Sequence, residues 1–362
     1  MTVPTNARRG GVRRRMIRPH HQKSTASNVA AAALLAAAGV FALTQSQPAP
    51  AQDLKAIKTD YRRPAPRPVE NPALAKLGRE LFFDTRISAS GTTACASCHF
   101  PELAYVVTVA NPINDSGKPT SRKSQPLIGL GHAGKAPVGW DGRSATLEAQ
   151  AKASIATGSM SMRETSTPVK VEIIEERVKS DSVYAAKFNA ALPSRPIDVD
   201  TIAIALAAFE RTLEPAATPF DRWVAGDEGA IGAAAKRGFV LFNGKAACVA
   251  CHNGWRFTDD QFHDIGTTTT DQGRGRAAKD ESLNFAFKTP TLRSVALRAP
   301  YMHNASLATL DEVVRHYEKG GIDRPSRSPL LVPIELSDAE RHDLVVFMNT
   351  LTGDGEGPKL RR

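Results

Sequence analysis

Cys95-Ala96-Ser97-Cys98-His99 and Cys248-Val249-Ala250-Cys251-His252 hold all four cysteines of the 362-residue chain. Cys-x-x-Cys-His is the attachment signature of c-type haem: each thiol pair can form thioether bonds to one porphyrin, and the histidine beside it is placed to bind iron. Two such segments imply two covalently bound haem c groups, on Cys95 and Cys98 and on Cys248 and Cys251, with His99 and His252 as iron ligands. Two other chemistries use paired cysteines. A redox disulfide wants a βαβ context and does not need the trailing histidine. A single four-cysteine zinc site would require the two pairs to meet across the intervening chain and would leave both histidines as coincidence.

The apolar content of 41% suits a globular protein long enough for two ordinary domains. Residues 1–51 read differently. Arg8, Arg9, Arg13, Arg14, Arg15, Arg18 and Lys23 precede an alanine-rich apolar run, Val29 to Leu43, and then Ala49-Pro50-Ala51. That is the layout of an export signal with an A-x-A cleavage site. The run is short for a membrane span, so an uncleaved anchor is the weaker alternative. Twin-arginine export through Arg8-Arg9 is disfavoured, because haem attachment normally follows export of an unfolded chain. Export and attached haem agree on a periplasmic location. The segment holds seven of the 47 basic residues and no acid, so the formal charge of +10 falls to +3 once it is removed. A nucleic-acid partner is not expected, since that needs a basic stripe on the mature protein.

Residues 52–72 read as a proline-rich leader to the first domain, with Arg62-Arg63-Pro64-Ala65-Pro66-Arg67-Pro68 as its extended stretch. The spacing of Leu74, Leu77, Leu81 and Phe82 predicts a helix over Pro72 to Phe83. Its end, Gly78-Arg79-Glu80-Leu81-Phe82, recurs as Gly238-Phe239-Val240-Leu241-Phe242 before the second cysteine pair. Two copies of one unit imply two related haem domains, at 73–220 and 221–352. Ile202, Leu206, Phe209 and Leu213 predict a helix from Val199 to Leu213, broken by Pro215 and Pro219. Thr309 to Glu312 and Ser337 to Glu340 read as capping boxes opening two late helices, and residues 353–362 as a disordered tail. Strand signals are rare, so the fold is expected to be mainly α.

A haem with one protein ligand can bind peroxide, whereas one with two strong ligands only passes electrons. His132, His263, His303, His316, His342, Met160, Met162, Met302 and Met348 are the candidate second ligands, though any one of them is more often a core or surface residue.

Leu77 to Asp84, Cys95 to His99, Trp140-Asp141-Gly142-Arg143 with Leu147-Glu148-Ala149-Gln150, Phe287 to Arg293 and Ala299-Pro300-Tyr301-Met302-His303-Asn304 together carry a resemblance. Over about residues 73–352 the chain resembles the bacterial dihaem cytochrome c peroxidase family, which includes the MauG-type maturases. The resemblance implies two cytochrome c-like helical domains facing each other. It implies a peroxide-reacting haem on His99, a six-coordinate electron-storing haem on His252, Trp140 as relay between them and Gln150 in the distal pocket. The second ligand of the C-terminal haem, methionine in the peroxidases, aligns with Tyr317, and MauG-type proteins use tyrosine there. Phenolate is a hard anionic ligand that stabilises ferric and higher iron states.

Two departures stand out. The family's distal glutamate has no counterpart in Thr157-Gly158-Ser159-Met160-Ser161-Met162-Arg163-Glu164, where Glu164 would serve only if the loop shifts. The family's calcium ion, held by an asparagine and backbone carbonyls, would meet Ser124 within Arg122-Lys123-Ser124-Gln125-Pro126, with the carbonyls of Arg298 and Pro300. A hydroxyl is a weaker ligand, so calcium is doubtful. The leading expectation is a peroxidase that reduces hydrogen peroxide with electrons from a small c-type cytochrome or cupredoxin. Next come a MauG-type enzyme that oxidises aromatic side chains of a partner protein and a non-catalytic dihaem carrier. A homodimer stays open.

Overall fold

Two helix pairs, each crossing at a glycine, organise the molecule. The computed structural model describes residues 54–161 and 170–353. Residues 1–51, read as an export signal, Met162, Arg163, Glu164 and the tail beyond Gly353 lie outside the described residues. Within them the helices are α1 (Leu54–Asp60), α2 (Pro72–Phe83), α3 (Leu147–Ala156), α4 (Glu172–Lys179), α5 (Ser182–Ala191), α6 (Val199–Glu210), α7 (Pro219–Val224), α8 (Ala233–Asn243), α9 (Gly273–Ala278), α10 (Leu310–Glu318) and α11 (Asp338–Asn349). Two-residue strands β1 (Phe262–His263) and β2 (Phe287–Lys288) pair antiparallel. The fold is mainly α, as expected. No described helix is long and apolar enough to cross a membrane.

α2 begins where the Asn71 side chain accepts from the Leu74 amide and Pro72 takes the first helical position. Leu74, Leu77, Leu81 and Phe82 are buried on one face. Gly78 sits where α2 crosses α6: a Cβ there would come within 1.8 Å of the Ala205 carbonyl oxygen. In the repeat, Gly238 of α8 meets α11 the same way, 2.0 Å from the Asp343 carbonyl oxygen. The shared glycine is thus a crossing point, and Phe82 and Phe242, four residues after it in each copy, are both fully buried.

Two cores result. One gathers Leu77, Leu81, Phe82, Ile174, Phe188, Ile202, Leu206 and Phe209. The other is an aromatic cage of Phe220, Trp223, Phe239, Phe242, Phe257 and Phe347. Tyr61 belongs to this second core, its ring 4.9 Å from that of Phe257 and its hydroxyl donating to Asn243 Oδ1 at 2.7 Å. The leader departs from expectation at its start and in the core it meets. Residues 54–60 are helical, and Leu54, Ile57 and Tyr61 pack on the second core, not the first. Only the stretch after Tyr61 is extended, held by Arg63 on the Pro215 carbonyl and Arg67 on that of Gly131.

Smaller differences have local causes. α6 stops at Glu210 because Thr212 and Leu213 donate back to Phe209 and Glu210, tightening the last turn. The Ser337–Glu340 capping box forms in full. At α10 Thr309 caps Glu312, but Glu312 answers to the amide of Ala308, one residue early.

Candidate functional site

Each Cys-x-x-Cys-His segment turns through a short 3₁₀ helix, Cys95–Ser97 and Cys248–Ala250, and each ends on a buried histidine whose ring is fixed by a backbone carbonyl. His99 Nδ1 lies 2.7 Å from the Tyr105 oxygen and His252 Nδ1 2.8 Å from the Phe257 oxygen. A carbonyl only accepts, so Nδ1 carries the hydrogen and Nε2 presents its lone pair, the form a metal requires. Burial lowers the basicity of both rings, taking His252 to about 4, so both are neutral at pH 7. Burial also raises the thiols of Cys95 and Cys98 and pushes Cys248 up to about 12. No disulfide joins any two of the four cysteines. Among the described residues, the only cluster of three or more such groups close enough to hold a metal is Cys251, Asp259 and His263, so the two pairs do not meet in a zinc site.

An apolar cleft of about 200 Å³, open to solvent on one side, surrounds the second segment. Cys248, Cys251, His252, Trp140, His303 and Tyr317 are among the residues that line it. Tyr317 comes from α10, whose apolar face also supplies Leu310 and Val314. Its phenol oxygen makes no hydrogen bond among the described residues. Burial raises its pKa, and the Cys251 and Cys248 thiols add to this, which places the phenol near the attachment cysteines. His316, one residue earlier, points away, with Nε2 2.8 Å from the Ile265 oxygen. Met302 and Met348 line the cleft too. His303 stacks on Phe287 at 3.5 Å and its Nε2 has no hydrogen bond. Of the remaining histidines, His132 is bonded to Glu214, His263 to Asp259, and His342 is exposed.

Trp140 lines this cleft from the N-terminal half of the chain. Its Nε1 donates to the Lys123 carbonyl at 2.8 Å. The Asp141-Gly142-Arg143 that follows it is a clamp. Asp141 is 3% exposed and accepts from Arg143 and Arg122. Burial works to raise its pKa, but these two guanidinium groups outweigh it and hold the carboxyl at about 2. Gly142 has φ +64° and packs so closely on Phe262 that a Cβ would lie 2.3 Å from the ring, so only glycine fits.

Gln150 stands on α3 beside the same turn, its Oε1 3.5 Å from where a Cβ on Gly139 would be. That oxygen is buried without a hydrogen-bond partner, an acceptor free for a small hydroxylic ligand. Met160 Sδ lies 3.7 Å from Cys95 Sγ, so the segment without the expected acid does reach the first attachment site.

Two residues escaped the sequence reading. Glu210 at the end of α6 is raised to about 8, chiefly by burial, and it interacts electrostatically with Cys95. Its signal was present: Glu210 falls four residues after Leu206 on the apolar stripe of α6, where a carboxyl is out of place. The other is Lys123. Ser124, expected at the calcium position, instead accepts from the Val107 amide at 2.9 Å. Lys123 Nζ sits on the carbonyl oxygens of Arg298 and Pro300, at 2.5 Å from each. An ammonium on those two oxygens leaves a donor set that does not fit calcium.

Residues 72–229 match the model of the family described as di-haem cytochrome c peroxidase, and residues 235–352 match that of cytochrome c. The chain is 44% identical over 323 residues to a methylamine utilization protein MauG of Methylorubrum extorquens, covering 86% of this chain and 89% of that one. It is 34% identical to a cytochrome-c peroxidase IdrP1 of Denitromonas iodatirespirans, covering 87% and 92%. Among solved structures, a MauG-like protein associated with microbial copper homeostasis superposes with a TM-score of 0.71 at 29% identity, covering 83% of this chain and 96% of that one.

Proposed function

The chain belongs to the di-haem cytochrome c peroxidase family that includes MauG, and from that premise we propose that it directs the oxidising power of peroxide at aromatic side chains of a partner protein. Hydrogen peroxide takes up two electrons and two protons to give two waters, and the partner's side chains give up two of each. Haem c bound at the two sites would supply the peroxide-activating and electron-storing chemistry. The protein's part falls to named residues. Cys95, Cys98, Cys248 and Cys251 anchor the groups, and His99 and His252 offer their Nε2 atoms to iron. Gln150 accepts from the incoming peroxide, and Glu210 holds a proton beside Cys95 at neutral pH. Trp140 lies on the path between the two sites. The periplasm is the proposed location, after export through residues 1–51.

The observation that carries this reading is Tyr317, which shares the cleft of His252 with its phenol unpartnered. Bound to iron, Tyr317 would lose its proton, and the phenolate would stabilise oxidised iron and favour holding oxidising equivalents over taking electrons from a high-potential donor. Low-temperature EPR of the ferric protein tests it. One high-spin and one low-spin signal are expected, the low-spin one changed in Tyr317→Met. A ferric spectrum with no high-spin component, indifferent to cyanide and peroxide, would make the protein a plain electron carrier.

A second reading, turnover of peroxide with a reduced small c-type cytochrome or cupredoxin, is favoured by the 34% identity to a cytochrome-c peroxidase. Rapid steady-state oxidation of such a donor would select it. A long-lived oxidised state discharged only by a particular protein would select the first.

A further inference from the structure

We propose that Lys123 is a built-in cation, its ammonium taking the position between the Arg298 and Pro300 carbonyls that a metal ion would otherwise fill and thereby positioning Trp140. The inference stands whichever electron source the protein uses.

Lys123 is 5% exposed. Its Nζ donates to the Arg298 and Pro300 oxygens, and among the described residues no carboxylate pairs with it. A buried ammonium without a counter-ion is costly unless oriented dipoles replace its water shell. Two converging carbonyls are that replacement, and they are also the kind of oxygen pair with which proteins hold hard metal cations. With the lone pairs engaged and a positive charge at hydrogen-bond distance, a divalent ion could enter only by evicting the lysine.

The backbone of the same residue completes the link. The Lys123 amide donates to the His303 oxygen at 2.9 Å, and its carbonyl accepts from Trp140 Nε1 at 2.8 Å. One residue therefore ties the indole to the 298–303 segment, which lines the cleft around His252. A bound metal can be chelated or diluted away from such a junction, whereas a tethered ammonium stays. Lys123 is a positioning residue, acting through Trp140 and the segment it grips.

The test uses the purified holoprotein, calcium chloride and the chelator EGTA. Metal analysis after gel filtration is expected to find calcium well below one equivalent, and EGTA to leave the Soret spectrum and Tm unchanged. Lys123→Asn exchanges the ammonium for an amide oxygen that completes an oxygen set. Its Tm is expected to fall by roughly 5 °C, with slower electron equilibration between the two haems. Calcium, but not magnesium, should reverse both changes, a rescue that loss of packing alone would not show. A wild-type protein that retains one calcium or loses Tm in EGTA overturns the proposal. So does a Lys123→Asn protein that melts like wild type or ignores calcium. Should that variant fail to fold, the wild-type calcium content and EGTA response still decide.

Discussion

The two halves that carry the Cys-x-x-Cys-His segments share a frame and part company in the residues gathered around each segment. In both, a glycine lets two helices cross in contact, and in both a backbone carbonyl five or six residues on sets the histidine tautomer. The C-terminal half then fills the space beyond its histidine with a cleft that includes Tyr317, while the N-terminal half offers an unpartnered glutamine oxygen, a methionine and a raised carboxyl. On the proposed function, one scaffold would serve two tasks, the residues that would hold a porphyrin being separate from those that distinguish the two sites.

The largest effect should come from the shared frame. Cys95→Ala with Cys98→Ala, and Cys248→Ala with Cys251→Ala, are each expected to lower pyridine-haemochrome content from two haems per chain to one. The first pair should abolish the high-spin EPR signal and the second should leave it. Glu210→Gln keeps the size and removes the proton. The bimolecular rate with peroxide, read by stopped flow, is expected to drop on the order of 10²-fold, with haem content unchanged. Tyr317→Met should raise the C-terminal reduction potential by roughly 0.1 V or more, measured by spectroelectrochemistry, and leave the N-terminal one in place.

The junction between the halves should respond to acid. Asp141 is held at about 2 against an ordinary value of 3.8, so its contribution is fully present above about pH 4 and is lost as pH falls through 2. That contribution is worth about 2 kcal/mol. In denaturant titrations Asp141→Asn should cost a similar amount at pH 7 and flatten the stability profile between pH 4 and 2. The smallest effect is expected from Tyr61→Phe, which removes one hydrogen bond to Asn243 and should cost about 1 kcal/mol.

What could be read from the chain follows the range of the interactions. The attachment motifs, the paired G-x-x-L-F ends and the capped helices are local patterns, and each sits where its spacing places it. Trp140 and Tyr317 were singled out through the resemblance, and both line the cleft. Lys123 was not legible, because its partners Arg298 and Pro300 lie 175 and 177 positions away and no local spacing announces them. The docking of Tyr61 was missed for the same reason, compounded by a helix of only seven residues. Glu210 was legible and overlooked: a carboxyl on an apolar stripe is a conflict between levels of structure, and such conflicts tend to mark functional positions.

The packing of α1 has a bearing on biogenesis. Tyr61 leaves the ribosome 182 positions ahead of Asn243, and its ring has nowhere to sit until Phe220, Phe239 and Phe257 have come together. A nascent polypeptide therefore carries the stripe of Leu54, Ile57 and Tyr61 uncovered until the carboxy-terminal half has been made. The first of the described helices is among the last to be seated, and a protease cutting between Arg62 and Pro68 would free this clasp while sparing both Cys-x-x-Cys-His segments.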